Sequence, residues 1–405
     1  MRRILALVSA SALVAATAGA IILFRTDDPN ANTTAPTNDP AGSGWNYEGQ
    51  WGGYLGTPIA PHFFLSARHI GQAGGDFVFD GVHYTLVASF PDPFSDLDLW
   101  QVVETFPTIA PLYTKQDEKG LRLVAIGRGT RRGAAVTLDS VPKGWEWGPD
   151  DSSQRWGENL VADIVTLSSG PDDAIYATFD QNGLPDECHF SRGDSGGGVF
   201  IEDNGVWKLA AINYAVDGPV YYDSQGQNSL VAALFDMRGF YFQDGTDFVQ
   251  FTGDTDIPSG FYATRVSSKL PWIYGVIDPD GDWDGDGVPN LLDYARTLNE
   301  SPVHGYGLPT FIMSNGSFQF VYQKIADAPN LQYEVQKSTD LVNWMSANAE
   351  EAVSATHGNV QIITATVALG SNTQLFLRLK ITQLSGLLPK RITSRHDAYK
   401  TRSAQ

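Results

Sequence analysis

From Trp45 to about Ile277 the chain alternates short apolar runs with Gly, Pro, Asp and Asn: Phe77–Phe79, Tyr84–Ala88, Leu121–Ile126, Ala134–Leu138, Leu160–Val165, Gly198–Ile201 and Trp207–Ile212. Many are β-branched or alternate at period two, which predicts the strands of an all-β domain over 45–277. An acidic stretch, Asp278–Asp286, follows, and Asn290–Asn299 reads as one short helix with apolar Leu291, Leu292 and Ala295. Past Pro302 the β pattern resumes in Phe318–Gln323, Leu331–Gln336, Val360–Ala368 and Leu375–Ile381, predicting a smaller C-terminal β domain over 300–388. At the N-terminus Arg2 and Arg3 precede the uncharged apolar run Ile4–Phe24, with small residues at Ala16, Ala18 and Ala20. This is the pattern of an export segment over 1–25, either a signal peptide cut near Ala18 or Ala20 or an uncleaved anchor, since the run approaches the ~20 residues that span a bilayer. Thr26–Gly44, dense in Asn, Thr, Pro and Asp and without apolar period, reads as a flexible linker. Residues 389–405 form a basic tail with Arg391, Arg395, Lys400 and Arg402.

Composition narrows the function classes. The 405 residues leave room for two or three folded units, at roughly 150 residues per domain. A chain that is 42% hydrophobic and 12% aromatic is not mostly disordered. With 46 acidic against 27 basic residues and a net charge of -19, the surface repels nucleic acid, whose affinity for proteins comes mainly from Lys and Arg on phosphates. Cys188 is the only cysteine, so no intramolecular disulfide exists. Alone, that would suit a cytosolic protein. The N-terminal run argues otherwise and sends the bulk of the chain out of the cytoplasm.

The most informative stretch is Ser191-Arg192-Gly193-Asp194-Ser195-Gly196-Gly197-Gly198-Val199-Phe200. Glycines on both sides of a serine permit sharp turns and bring amide N–H groups close to a bound carbonyl. The same letters satisfy G-x-S-x-G, the nucleophile elbow of α/β-hydrolases, but that motif needs a helix directly after the serine and an Asp then a His downstream. Here Gly196–Gly198 runs into strand-like Val199–Ile201, and only His304, His357 and His396 follow. The other known order places the histidine and aspartate upstream. His69 sits in Leu65-Ser66-Ala67-Arg68-His69-Ile70, a setting that His62 and His83 lack. Asp96 and Asp98, at the head of the apolar run Leu97–Val102, are the candidate acids, with Asp96 preferred.

In these residues the chain resembles the trypsin-like serine proteases of the chymotrypsin fold. Gly193–Gly197 is identical to that family's G-D-S-G-G, Ser66-Ala67-Arg68-His69 resembles its T-A-A-H, and Asp96-Leu97-Asp98-Leu99 resembles its D-I-A-L. Asn204–Ile212 and Gly260–Val266, with Trp272-Ile273, resemble the strand after the nucleophile loop and the family's final strand and closing helix. The resemblance implies two antiparallel six-stranded β-barrels with His69, Asp96 and Ser195 as the catalytic triad between them. It implies an oxyanion hole from the backbone N–H groups of Gly193 and Ser195, and a structural role for a buried Asp194.

Departures from the family are informative too. There the buried aspartate pairs with a new N-terminal amine after zymogen cleavage at I-V-G-G; no such sequence precedes Trp45–Gly53, so Asp194 needs another cation or donor. Ser191 stands where the family has a cysteine, and Ala215, after Tyr214, replaces an aromatic. His189 and Tyr214 fall on the specificity pocket. Where trypsin carries an aspartate this chain has His189, which excludes a charge-matched pocket for basic side chains; protonated, it would favour acidic or polar ones. The alternative is a hydrogen-bonded core histidine beside Phe190.

Asp282-Trp283-Asp284-Gly285-Asp286-Gly287-Val288-Pro289-Asn290-Leu291-Leu292-Asp293 has the spacing of a calcium loop. Oxygen ligands would come from Asp282, Asp284, Asp286, the Val288 carbonyl, Asn290 and Asp293, with the turn at Gly287. It resembles the single loops of dockerin or thrombospondin type 3 repeats; the alternative is a solvated acidic linker. The C-terminal segments Tyr333–Trp344 and Leu375–Leu379 resemble a small β-sandwich-like module of secreted bacterial proteins, suited to cell-surface or glycan contact or to capping. The sequence thus predicts an exported serine endopeptidase, secreted, periplasmic or cell-surface in a bacterium, acting on protein or peptide substrates without a catalytic cofactor. It would carry structural calcium in the 278–299 connector and touch a membrane only if the N-terminal segment stays uncleaved. The rival from another class is a non-catalytic surface or adhesion protein that keeps the fold and binds through its C-terminal domain. A third reading keeps the triad with an ester substrate.

Overall fold

The computed structural model describes residues 21–73, 75–149, 152–167, 173–296, 309–314, 317–370 and 374–384. Residues 1–20 of the predicted export segment and the predicted basic tail lie outside the described residues, as do 297–299 of the predicted helix, which is seen over Asn290–Arg296. Among the described residues, no helix is long and apolar enough to cross a membrane. The chain divides into two units, the first reaching Val87 and running again from Asp96 to Ser267, the second made of Ala88–Ser95 and the chain from Ser268. Helix Leu270–Ile277, placed by sequence in the 45–277 domain, therefore belongs with the acidic loop.

The fold is almost all β, as its periodicity predicts. Two curled antiparallel sheets dominate the first unit, each with seven strands where six were expected, because short edge strands extend them. The first runs in the order Val82–Tyr84, Phe77–Phe79, Gly49–Trp51, Tyr54–Ala60, Phe63–Ala67 and Leu97–Val102, with Leu86–Pro91, within which the first unit ends, as the seventh. Its inward positions are aromatic: Trp51, Phe64, Phe77, Phe79, Tyr84, Trp100 and Phe106 form one buried cluster, with Phe64 stacked on Phe77 at 3.9 Å between ring centroids. The second runs in the order Arg155–Leu160, Arg122–Gly127, Gly198–Asp203, Val206–Val216, Gly260–Arg265, Asp173–Thr178 and Asp163–Thr166. Its core is smaller-grained, built on Leu123, Ala125, Ile175, Val199, Ile201, Ala211, Phe261 and Ala263. Asn204 and Gly205, both at positive φ, close the hairpin between Gly198–Asp203 and Val206–Val216, the two-residue turn that matches strand twist.

The start of the described chain is folded onto the first unit. The end of the apolar run, past the predicted cut near Ala18 or Ala20, is part of the fold: Ile22–Leu23 is a strand paired with Cys188–His189, and Ile21, Ile22 and Leu23 are buried. Phe24 packs edge-on to Trp145 at 4.9 Å and Arg132 Nη1 donates to its carbonyl. An apolar tetrad fits a strand as well as the tail of a signal, so composition could not divide them. Nor is 26–44 a free linker. Asn32 Nδ2 donates to the Trp156 carbonyl and to Asp186, Trp156 Nε1 donates to the Thr34 carbonyl, Arg122 binds Asp39, and Arg155 reaches the Pro29 carbonyl. The segment ends at Gly44, φ 96°, where an added Cβ would fall 2.3 Å from the Phe200 ring.

In the second unit, Thr310–Ser314, Ser317–Ile325, Val360–Ala368 and Glu350–His357 form a four-stranded sheet, and Met345–Ser346, Leu331–Ser338 and Phe376–Gln383 a three-stranded one. Phe320, Tyr322, Val335, Ile363, Ala365 and Val367 make their core.

Glu48 connects the two sheets of the first unit. Its Oε1 accepts from Thr57 Oγ1 at 3.0 Å and from the Gly198 N–H at 3.1 Å, at the head of the strand that leaves the Ser195 loop. Burial pushes this carboxyl up from 4.5 to about 8. Between those values the folded chain holds a proton that the unfolded chain has released, so folding stability falls as pH rises through that window. Glu48→Gln keeps an acceptor and removes the ionisation. Its Tm should therefore change less than that of the wild type between about pH 4.5 and 8, as read by thermal melts at several pH values; parallel curves would refute the assignment.

Candidate active site

Sheet register brings His69 and Asp96 together. Strands Phe63–Ala67 and Leu97–Val102 pair antiparallel with Ala67 opposite Leu97, so the residues just past one strand lie beside those just before the other. Arg68 N donates to the Asp96 carbonyl at 2.6 Å and His69 N to Asp96 Oδ1 at 2.9 Å. A single 3₁₀ turn, Arg68–Ile70, ended by Gly71 at φ 58°, carries the imidazole. Its Nδ1 lies 2.5 Å from Asp96 Oδ2 and its Nε2 2.8 Å from Ser195 Oγ. Asp98 lies two residues along, opposite Ser66 and buried.

Ser195 sits on a loop with little freedom. Gly193 and Gly196 have φ of 98° and 85°, a region costly to residues with a Cβ. A Cβ on Gly197 would fall 2.1 Å from the Ile126 carbonyl oxygen, and one on Gly196 2.5 Å from both the Leu55 oxygen and Ser66 Oγ. Asn213 braces the loop from the neighbouring strand. Its Nδ2 donates to the Ile126 and Asp194 carbonyls at 2.8 and 2.9 Å, its N–H donates to the Gly197 carbonyl, and its own carbonyl accepts from Gly196 N. The chain beyond the loop enters strand Gly198–Asp203, not the helix that the α/β-hydrolase elbow requires. Among the described residues, the N–H groups of Gly193 and Ser195 donate to no protein acceptor.

Asp194 points away from the serine into the protein and is 1% exposed. Oδ1 accepts from Gly129 N at 2.6 Å, and Oδ2 from Ser191 N at 2.7 Å with Ser191 Oγ at 2.9 Å. The N–H of Ile21 donates to the same carboxyl. Ser191 Oγ also accepts from Thr130 N at 2.6 Å, so the serine in the cysteine's place is part of the brace. Burial is the largest influence on Asp194 and raises it to about 7 against these donors.

The specificity residues divide. Tyr214 is half-buried beside the imidazole, with ring centroids 5.8 Å apart. His189 has no exposed surface: Nδ1 donates to the Phe190 carbonyl at 2.6 Å, Nε2 lies 3.2 Å from the Ser259 hydroxyl, and burial lowers its pKa to about 4. A neutral, enclosed imidazole does not select acidic side chains, so the core reading replaces the pocket reading.

In the acidic loop, Asp282, Asp284 and Asp286 each bring an oxygen within 4.8 Å of the others. Asp282 also accepts from the N–H groups of Gly285, Asp286 and Gly287, and Asp286 from that of Val288. Asn290 is fully buried; it donates to the Asp278 carbonyl and accepts from Trp283 N. Asp293 lies in the helix Asn290–Arg296, outside the group of three.

Sequence reasoning missed Asn213, Ser66, Gly129 and Ile21. A lone polar residue closing the apolar run Leu209–Ile212 was the available signal for Asn213; the others act through backbone or fit. No protein-family model matches the chain, and no curated protein does. Among solved structures the chain is similar to neuropsin, a serine protease expressed in the limbic system of mouse brain, at 12% identity over 58% of this chain and 96% of that one, with a TM-score of 0.36.

A serine hydroxyl facing an imidazole that faces a carboxylate has the geometry in which the serine can act as a nucleophile, the imidazole as its base and the carboxylate as the orienter. Asn213 is the brace most open to test. Asn213→Ala takes one donor from each of two buried carbonyls, of which that of Asp194 keeps the Gly197 N–H, and should cost about 1–3 kcal/mol in a urea titration. Asn213→Asp, which turns a carboxylate on those oxygens, should cost more at neutral pH; equal stabilities would refute the role.

Proposed function

We propose that the chain is an exported serine endopeptidase. The observation that carries this reading is the hydrogen-bonded series from Asp96 through His69 to Ser195 Oγ. Ser195 Oγ attacks the scissile carbonyl while His69 Nε2 takes its proton. Asp96, bonded both to the His69 side chain and to its backbone, fixes the ring and stabilises the imidazolium. The uncommitted N–H groups of Gly193 and Ser195 receive the oxyanion, a contribution of about 10²–10³ in rate per donor. His69 then protonates the leaving amine, and water, activated by the same imidazole, releases the acyl group from Ser195. Tyr214, next to the imidazole, contacts the bound substrate. Arg2, Arg3 and the apolar run behind them carry the chain out of the cytoplasm.

The mature protein should take up a fluorophosphonate probe on Ser195 and cleave an unfolded protein. Ser195→Ala should abolish both, and Asp96→Asn should lower turnover by roughly 10⁴-fold. Mature wild type that neither labels nor cleaves would overturn the proposal, and faster turnover of esters than of peptides would move the substrate class.

The same reading includes a structural calcium ion. Asp282, Asp284 and Asp286 would hold it, as hard oxygen donors whose mutual repulsion the cation compensates. With calcium at about a hundredfold its dissociation constant, chelation should remove about 2.7 kcal/mol of stability. The loss should disappear in Asp284→Asn/Asp286→Asn, and superimposable melts with and without chelator would refute the site.

A further inference from the structure

Glu48 is a buried acid to which the reaction sequence gives no part, and it stands between the two halves of the site. Its Oε1 accepts from the Thr57 hydroxyl, on strand Tyr54–Ala60, and from the Gly198 N–H, three residues beyond Ser195. Its Oε2 is buried as well and, among the described residues, has no hydrogen-bond partner. Nor does a charge act on it: burial, Thr57 and Gly198 are the influences on this carboxyl. The titratable groups on the elements packed around it are Tyr47, Tyr54, Glu202, Asp203, Lys208 and Tyr214. Tyr47 lays its ring on Phe200, Tyr54 opens its strand, Glu202 is exposed, Asp203 pairs with Lys115 and Lys208, and Tyr214 lies beside His69.

Both contacts of Oε1 lead to reacting atoms. On one side, Gly198 follows Gly197, which has no slack: its N–H donates to the Asp194 carbonyl, its own carbonyl accepts from Asn213 N, and a Cβ on it would fall 2.1 Å from the Ile126 oxygen. A displacement of Gly198 therefore moves the serine loop with it. On the other side, Thr57 lies two residues beyond Leu55 in the same strand. The Leu55 carbonyl accepts from Ser66 Oγ at 2.9 Å, in the strand that ends at the His69 turn, and a Cβ on Gly196 would fall 2.5 Å from that same oxygen. Strand Tyr54–Ala60 is thus a wall shared by the His69 strand and the Ser195 loop. Glu48 fastens that wall to the strand leaving the serine, and the 2.8 Å between His69 Nε2 and Ser195 Oγ depends on the fastening.

We propose that Glu48 is a positioning residue for Ser195 that holds only while it carries its proton, so that loss of this proton in alkaline solution disables the nucleophile. A neutral carboxyl can sit between Thr57 and Gly198 with one oxygen idle. An anion in the same place has two hydrogen bonds and no cation, and a carboxylate so buried is costly. Its charge is relieved by opening the seam to water, which draws Gly198 from Thr57 and Ser195 from His69. The released proton goes to solvent, and no other group need change charge. Burial raises this carboxyl to about 8, and Glu48 thereby sets the alkaline limb of the pH–rate profile. The labelling readout below rests on the peptidase reading above; the hydrogen-exchange readout does not.

In the wild-type chain, the rate of fluorophosphonate labelling of Ser195 should fall roughly tenfold from its maximum by about pH 9. Glu48→Gln, which keeps the acceptor and cannot ionise, should show no such fall. Thr57→Val takes a donor from the anion and leaves the proton harder to remove, so it should move the fall to higher pH. Amide hydrogen exchange of the peptide spanning Gly193–Phe200 is the second measurement. It should be about tenfold faster in wild type than in Glu48→Gln at about pH 9, and equal in the two at about pH 6. An alkaline fall that persists in Glu48→Gln, or that stays in place in Thr57→Val, overturns the proposal, as does equal exchange at both pH values. Exchange that depends on Glu48, in chains that never label, upholds the positioning contact and rejects the peptidase reading instead.

Discussion

The first unit is organised around one buried carboxyl. Asp194 lies one residue before Ser195 and faces the other way, so whatever fixes its two oxygens also fixes the serine. Its donors come from three parts of the chain far apart in sequence: Gly129 beyond strand Arg122–Gly127, Ser191 from its own loop, and Ile21 from the chain's first described residue. Removing a carboxylate from water is unfavourable, and a loop that does so must be held closed by everything around it. The close approaches at Gly127 and Gly129, where a Cβ would lie within 2.5 Å of Asp194 atoms, show how little room is left.

The other half of the array depends on register, not burial. His69 and Asp96 meet because strands Phe63–Ala67 and Leu97–Val102 pair with no slip, and a one-residue shift would turn the alternate side chains over. The aromatic cluster behind those strands fixes the register, since Phe64 and Trp100 face each other across the pair and both contact Trp51. A hydrophobic core thus sets a distance of 2.5 Å between two polar atoms on the surface. Glu48 joins the two halves, binding Thr57 of the first sheet and the head of the strand that leaves Ser195, while Asn213 braces the Ser195 loop from within its own half.

How much of this was legible in the sequence follows from the kind of constraint. Gly193–Gly197 was legible because chemistry demands those residue types in a fixed local order; His69 and Asp96 were legible because each heads or ends an apolar strand. Period two gave the strands in both units, where alternation survives even at the edges. The strand at Ile22–Leu23 could not be told from the apolar run before it, because a membrane and a protein core select the same side chains. Residues 26–44 were misread because their attachment uses backbone carbonyls and Asn and Asp side chains, which leave no hydrophobic signature. His189 is the reverse case: a position read as a pocket wall is enclosed by Phe179, Phe261 and Ser259, contacts from strands distant in sequence.

The solitary cysteine takes its meaning from the same contacts. Cys188 is buried, its thiol pushed well up by burial, and its Cβ and sulfur lie close above Gly157. It packs as a small hydrophobe, with no room for a partner. A chain of this size with no covalent cross-link must tie its loops by other means, and the segment from Ile21 to Gly44 supplies one. It pairs with Cys188–His189, crosses Trp156 and Arg122, and ends against Phe200. Such a strap shortens the loops left free in the folded state without constraining the unfolded chain, unlike a disulfide, whose effect lies mainly in the unfolded ensemble. Its hold must therefore come from native contacts alone, which is why it is anchored at both ends in buried sites.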